Sequence, residues 1–319
     1  MFEEKLGFFE RLDAALSITI ESFGALNKYP VLFLPMLITW VFYALTIIYF
    51  KFHFDWTKLS SELSLGLCFL ILLSFCIMFS IASLWMLEFI QQIESGKKIN
   101  IFKAFGETFG KDFIKAFPIM FVWAIIWFIV AILQAMFSWA SRGSSYSSEE
   151  RSYENIAKTL SGYSEFSLMN LTFDLVKSGV RMVVFFIYPA IAWEDETCIN
   201  AIKKGFNGIK NNFVEFVTGF VGVEFAAAII FIPVAIMFKS LEGQQVDDSV
   251  YMYLIMYLAF ATSLYLYLQQ MQAGILYMWN MKWVKAVENA VAEGVPIPKL
   301  QDVKKPSLLD DIPDLVVKK

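Results

Sequence analysis

The sequence predicts an all-α membrane protein with six transmembrane helices, built as three repeats of an amphipathic helix followed by two spans. Three observations predict it. Hydrophobic residues make up 58% of the 319-residue chain, with 33 phenylalanines, against roughly 45–50% in soluble domains. Six apolar stretches reach the length of about 20 residues needed to cross the hydrocarbon core of a bilayer. A one-sided apolar stripe of helical period precedes each odd-numbered span.

In chain order, the first span is Val31–Phe50, with Pro35 near its start. The second is Ser64–Ile90. The third is Pro118–Ala140, which contains Trp123, Trp127 and Trp139. The fourth, Gly179–Trp193, is short and extends backward toward Leu168. The fifth is Phe213–Phe238, with Pro233 near its end. The sixth, Val250–Trp283, continues as a soluble helix to about Glu293, where Gly294, Pro296 and Pro298 stop it. Residues 1–28 lack the continuous apolar core of a cleavable signal, so the first span is expected to act as the insertion signal. Two domains follow: residues 1–294, a six-helix transmembrane domain with cytoplasmic interfacial helices, and residues 295–319, a flexible cytoplasmic tail.

The basic residues orient the chain. Eighteen Lys and Arg fall in the N-terminal segment, residues 91–117, residues 194–212 and the C-terminal segment, whereas seven fall in the opposite connections. Basic residues concentrate on the cytoplasmic side. A multi-pass protein of the plasma (inner) membrane with both termini cytoplasmic is therefore expected. The longest outer loop, Ser141–Ser167, is rich in Ser, Gly, Tyr and Glu.

The stripes before the odd spans run Leu6, Phe9, Leu12, Leu16, Ile20, Phe23; then Phe102, Phe105, Phe109, Phe113, Phe117; then Ile199, Ile202, Phe206, Ile209, Phe213, Phe216. The second and third also match at an offset of one hundred: Asn100 with Asn200, Lys103 with Lys203, Phe113 with Phe213, and Asp112 opposite Asn212. Such helices either lie in the membrane interface with aromatic faces toward the acyl boundary or pack on the bundle as connectors. The acidic polar face of the first argues against strong attraction to anionic lipid.

Two ionisable residues lie deep within spans. Glu224 sits eleven residues after Phe213, about 16 Å in, and Arg181 thirteen residues before Glu194, about 19 Å from the cytoplasmic end of its span. Gln269 and Gln270 reach a similar depth on the sixth span. An unpaired charge there would cost roughly 2.5 kcal/mol or more, so Arg181 and Glu224 are expected to pair, with the glutamines completing the hydrogen bonds. Asp174, Ser178 and Arg181 share a helical face that extends a polar path outward. These candidate binding residues read either as a substrate, ion or proton site or as a pair that fixes helix packing.

The other residues exclude several chemistries. There is one histidine, His53, read as an interfacial loop residue, and three cysteines, Cys68, Cys76 and Cys198, with no Cys-x-x-Cys spacing. No metal site, cofactor or disulfide framework is expected. No zinc-protease or nucleophile-elbow motif occurs. Gly106–Asp112 has three residues between its glycines where a phosphate loop has four, and Asp where Ser or Thr should hold magnesium. A net charge of −4 gives no reason to expect nucleic acid.

Tyr188-Pro-Ala-Ile-Ala-Trp-Glu194 followed by Asn200-Ala-Ile-Lys-Lys-Gly-Phe206 resembles uncharacterised prokaryotic six-helix membrane proteins, which are similar to the membrane domain attached to some glycerophosphodiester phosphodiesterases. The soluble phosphodiesterase domain is absent, so the resemblance implies a location in the inner membrane and carries over no catalytic residue. The expected function is a non-enzymatic component that organises membrane or partners, with the lipid bilayer and a cytoplasmic protein bound by Pro306–Leu315 of the tail as partners. The alternative is a small-solute, lipid or proton-coupled transporter centred on Glu224 and Arg181.

Overall fold

A computed structural model describes residues 8–141, 168–241 and 247–306. The connection expected to be the longest outer loop, Ser141–Ser167, lies beyond Ser141 outside the described residues, as does the tail beyond Pro306. The described chain is helical, with no strand. Its helices are α1 (Phe8–Lys28), α2 (Phe33–Phe52), α3 (Ser61–Glu94), α4 (Ile101–Glu107), α5 (Phe113–Ser141), α6 (Leu168–Ala192), α7 (Cys198–Asn211), α8 (Phe213–Leu241) and α9 (Asp248–Glu293). A π-helical turn, Thr108–Asp112, joins α4 to α5. Six helices, α2, α3, α5, α6, α8 and α9, are long and apolar enough to cross a membrane.

Local chemistry sets the helix ends. Ser60, Asn100 and Asp247 each accept a backbone N–H of the first turn that follows, as N-cap residues do. Gly294 (φ 68°) ends α9 and Gly96 (φ 64°) follows α3 in the left-handed conformation that glycine adopts without penalty. After α6 the same role falls to Asp195 (φ 57°). Lys115 Nζ clamps it, donating to both the Asp195 carbonyl (2.7 Å) and carboxylate (2.6 Å).

The spans form two tiers. Helices α3, α6 and α9 contact one another and make the centre. Buried polar bonds tie them: Trp193 Nε1 donates to the Leu87 carbonyl (2.9 Å), Tyr188 shares a hydrogen bond with Ser80 (2.5 Å), and Gln270 Nε2 donates to the Phe185 carbonyl (3.4 Å). Outside this triad, α2 lies against α3 and α9, α5 against α3 and α6, and α8 against α9. Alone among the spans, α6 is buried over most of its apolar stretch.

Helices α1, α4 and α7 lie at one end of the bundle. This terminal face also carries residues 295–306. Those residues fold back instead of beginning the flexible tail expected from Val295. Trp283 Nε1 donates to the Pro298 carbonyl and Trp279 Nε1 to the Val303 carbonyl, both at 2.8 Å. Lys305 reaches Ser17 (3.0 Å) and Glu21 (3.5 Å) on α1.

The three end helices sit on the bundle mainly through small residues, with Ile18 of α1 and the partly buried Ile202 and Ile209 of α7 beside them. Ser22 and Ala25 of α1, Ala104 of α4 and Thr108 beyond it, and Ala201, Gly205 and Gly208 of α7 are buried. Tyr267 of α9 donates to the Ser22 carbonyl at 2.7 Å. A β-carbon built on Gly205 would fall 2.6 Å from Ile187 Cγ1, so α7 approaches α6 as closely as the absence of side chains allows. The contact order is cyclic: α1 rests on α8 and α9, α4 on α3, and α7 on α5 and α6. Each helix thus lies against spans that precede it, the chain being read as a ring.

Much of the described stripes turns the other way, although Phe216 is buried and Phe113, Ile202 and Ile209 pack against the core; the side chains of Leu6, Phe9, Leu12 and Leu16 lie outside the described residues. Phe102 is 88% exposed, Phe206 55%, Phe213 61% and Ile20 72%. Phe23, Phe105, Phe109 and Phe117 are also exposed. The second stripe runs without a break into the exposed Ile114, Phe121 and Val122 of α5. These helices pack on the bundle, as the connector alternative expects, and they also present large apolar side chains away from it.

Candidate functional site

The deep polar residues come from α6, α8 and α9. Ser178 and Arg181 are one helical turn apart on α6, Glu224 projects from α8, and Tyr265 and Gln269 are one turn apart on α9. All but Glu224 are buried, and Glu224 is half-buried.

Arg181 and Glu224 meet in one cluster without touching as an ion pair. Gln269 stands between them. Its Oε1 accepts from Arg181 Nε (2.5 Å), and its Nε2 donates toward Glu224 Oε1 (3.3 Å), Tyr265 Oη (2.9 Å) and Ser178 Oγ (3.0 Å). The Ser178 and Tyr265 hydroxyls both donate to Glu224 Oε1. The expected direct pair is thus corrected to a pair separated by an amide. One carboxylate oxygen collects two hydroxyls and an amide, and charge-assisted bonds of this kind are roughly twice as strong as neutral ones.

Aromatic faces cover the guanidinium. Arg181 Cζ lies 4.6 Å from the Tyr265 ring centroid and 5.7 Å from that of Trp127. Such contacts strengthen when the cation is desolvated. Tyr265 and Trp127 went unrecognised in the sequence. Tyr265 was findable, since it precedes Gln269 by four residues and so shares its face. Nothing local marks Trp127.

Gln270 does not join this cluster. One residue on, it is rotated by about 100° and faces α2 and α3. It borders a cavity of about 20 Å³ also lined by Thr39, Ser83, Ser263 and Tyr267, room for about one water. Gln270 Oε1 has no partner among the described residues.

Toward the other end, Lys177 Nζ contacts Asp174 (2.6 Å) and Gln134 Oε1 (2.9 Å), and Trp127 Nε1 donates to the Lys177 carbonyl (3.2 Å). Asp174 therefore engages the neighbouring lysine, while Ser178 belongs to the inner cluster.

A second polar network lies where α6 meets α7. Lys204 Nζ contacts Glu194 and Glu196, each at 2.7 Å, and Tyr277 of α9 donates to Glu194. The Lys204 hydrogen bond holds the Glu196 carboxyl below its ordinary range. Partial burial works to lower the Lys204 pKa, but hydrogen bonds to the two carboxylates outweigh it and raise it overall. Nearby, Asn212 Nδ2 donates to Asn280 Oδ1 at 2.6 Å. The Gly106–Asp112 run lies in continuous helical structure, with no loop to wrap a phosphate.

No group of three or more His, Cys, Asp or Glu side chains is placed to hold a metal ion among the described residues. Comparison with protein-family models, with curated proteins and with solved structures found no match.

Proposed function

We propose that this chain is a non-enzymatic integral membrane protein that organises the leaflet at its terminal face, the cytoplasmic leaflet of the inner membrane by the distribution of Lys and Arg. One observation carries this reading: the end helices seat mainly small residues, with Ile18 of α1, on the bundle and expose large apolar side chains such as Ile20, Phe102, Phe105, Ile199 and Phe206. Each exposed ring that enters the acyl boundary gains about 2 kcal/mol, so the stripes favour insertion beside the spans. Three such wedges add area to one leaflet only, and amphipathic insertion of this kind is sensitive to curvature. The inner polar cluster then serves as a packing device. A cytoplasmic protein bound through Pro306–Leu315 belongs to the same reading.

Membrane tubes pulled from giant vesicles test this. Labelled protein with its terminal face outward should concentrate on the tube, and Phe102→Ser with Phe206→Ser should reduce that enrichment toward one. Equal enrichment of the two proteins would overturn the reading. Half-burial of Glu224 favours the transporter alternative. Solute or proton flux in liposomes that Glu224→Gln abolishes would establish it instead.

A further inference from the structure

We infer that α7 gathers anionic phospholipid around itself, Lys203 and Lys210 each pairing with a headgroup of net negative charge while Ile199 and Phe206 enter the acyl chains beneath. Ile199, Lys203, Phe206 and Lys210 follow one another at steps of four, three and four, so they share one side of the helix. Phe213 continues the series three residues on, at the start of α8. That side is open. Ile199 is 66% exposed, and both lysines and both phenylalanines are exposed as well.

The level at which α7 lies makes the partner a lipid. Its opposite side rests on α6 through Gly205 and Gly208, where a β-carbon would fall 2.6 Å from Ile187 Cγ1 and 2.9 Å from Phe186 Cε1. Ile187 and Phe186 are five and six residues inside the Ala192 end of the apolar stretch Thr172–Ala192, about 8 Å along the helix. Helix α7 therefore lies along the flank of a span and not beyond its end. That is the level at which an interfacial helix buries its apolar face. A lysine beside such a face lays its stem along the apolar surface and keeps its ammonium among the headgroups. Large apolar side chains between the two lysines suit a lipid and offer a free anion nothing.

Charge decides which lipid. No Asp or Glu occurs in α7. The acids of the turn before it are already engaged, Glu194 and Glu196 by Lys204 and Asp195 by Lys115. Lys203 and Lys210 have no counter-charge among the described residues. The other end helices differ. Within α1, Glu10, Asp13 and Glu21 outnumber Arg11 and Lys28, and beyond α4 Glu107 stands four residues from both Lys103 and Lys111, an ion-pair spacing.

This inference rests on the reading that the end helices lie in the leaflet, and one experiment separates the two. Asn207, exposed beside the stripe, is changed to cysteine in protein whose three cysteines have been replaced, and a fluorophore is attached there. The protein is reconstituted in equal parts of dioleoyl phosphatidylglycerol and dioleoyl phosphatidylcholine, with a quenching nitroxide on the acyl chains of one lipid or the other. Labelled phosphatidylglycerol should quench as though enriched about fivefold around α7, the worth of one lysine near an anionic surface. Lys203→Gln with Lys210→Gln should bring that ratio close to one, and Lys103→Gln with Lys111→Gln should leave it unchanged. Equal quenching by the two lipids, or a preference that survives Lys203→Gln with Lys210→Gln, overturns the inference and leaves the leaflet reading standing. A preference lost equally in Lys103→Gln with Lys111→Gln assigns the attraction to the overall charge of the face and overturns it too. Quenching by neither lipid overturns the leaflet reading, and this inference with it.

Discussion

Gln269 decides how two opposite charges share the inside of this bundle. It accepts from Arg181 and donates toward Glu224, so removing it takes the closest acceptor from Arg181 and leaves Glu224 with only the Ser178 and Tyr265 hydroxyls. Gln269→Leu should therefore cost more than either neutralisation: about 3 kcal/mol, against 1–2 kcal/mol or so for Glu224→Gln, where an amide oxygen still accepts from Ser178 and Tyr265. Thermal unfolding in detergent checks the order, and a smaller loss for Gln269→Leu would contradict it. Packing makes a second residue-scale prediction. Gly205→Ala places a β-carbon 2.6 Å from Ile187 Cγ1 and 3.3 Å from its Cα, whereas at Gly274 the nearest atom is 3.5 Å away. Gly205→Ala should cost about 1–3 kcal/mol, and Gly274→Ala should be tolerated, by the same unfolding assay. Equal effects would contradict the close approach of α7. That Arg181, Glu224 and Gln269 lie at one level of the bundle was legible from helical rise alone. The separation of the two charges by Gln269 was not, because rise says nothing of azimuth. Azimuth was legible for Gln270, since two consecutive residues on a helix cannot face one cluster.

The turn between α6 and α7 is where charge and helix geometry meet. Glu196 is held low by Lys204, so its contribution is present above the unfolded value of about 4.3 and is lost as pH falls through the lower folded value. Lys204 is raised, so its contribution is present below about 10.4 and is lost as pH rises through the higher folded value. The melting-temperature gap between wild type and Lys204→Gln should be widest between about pH 5 and 10 and should shrink on either side. A gap independent of pH would show that the network does not hold the turn. At the end of α9, the indole bonds to Pro298 and Val303 hold residues 295–306 against the bundle. Each is worth about 1 kcal/mol, so Trp279→Phe with Trp283→Phe should speed proteolysis of that segment more than tenfold. Unchanged cleavage would contradict the docking. Helix existence was plain from the apolar runs, and even the backward extension of α6 to Leu168 was legible. The return of residues 295–306 was not. Its proline and charged residues read as solvated chain, and its anchors, Trp279 and Trp283, lie in the preceding helix.

At the scale of the whole molecule, the interior of the spans buries large side chains such as Trp123, Phe89, Phe185 and Phe186, whereas at the terminal face mainly small residues seat the end helices and many large apolar ones are left for the surroundings. This explains why the stripes, conspicuous in the sequence, did not reveal which way they turn. Helical period fixes a face but not its partner. The buried small residues Ala104, Ala201, Gly205 and Gly208 carry that information, and a search for apolar stripes passes over them. The account stands on those stripes lying in the acyl boundary. Spin labels placed singly at positions 23, 102 and 206, in protein whose three cysteines have been replaced, measure this directly in reconstituted vesicles. The account predicts faster relaxation by dissolved oxygen than by a water-soluble nickel chelate at all three positions, with the reverse at Lys111. Relaxation dominated by the chelate at positions 23, 102 and 206 would place the stripes in water and contradict it.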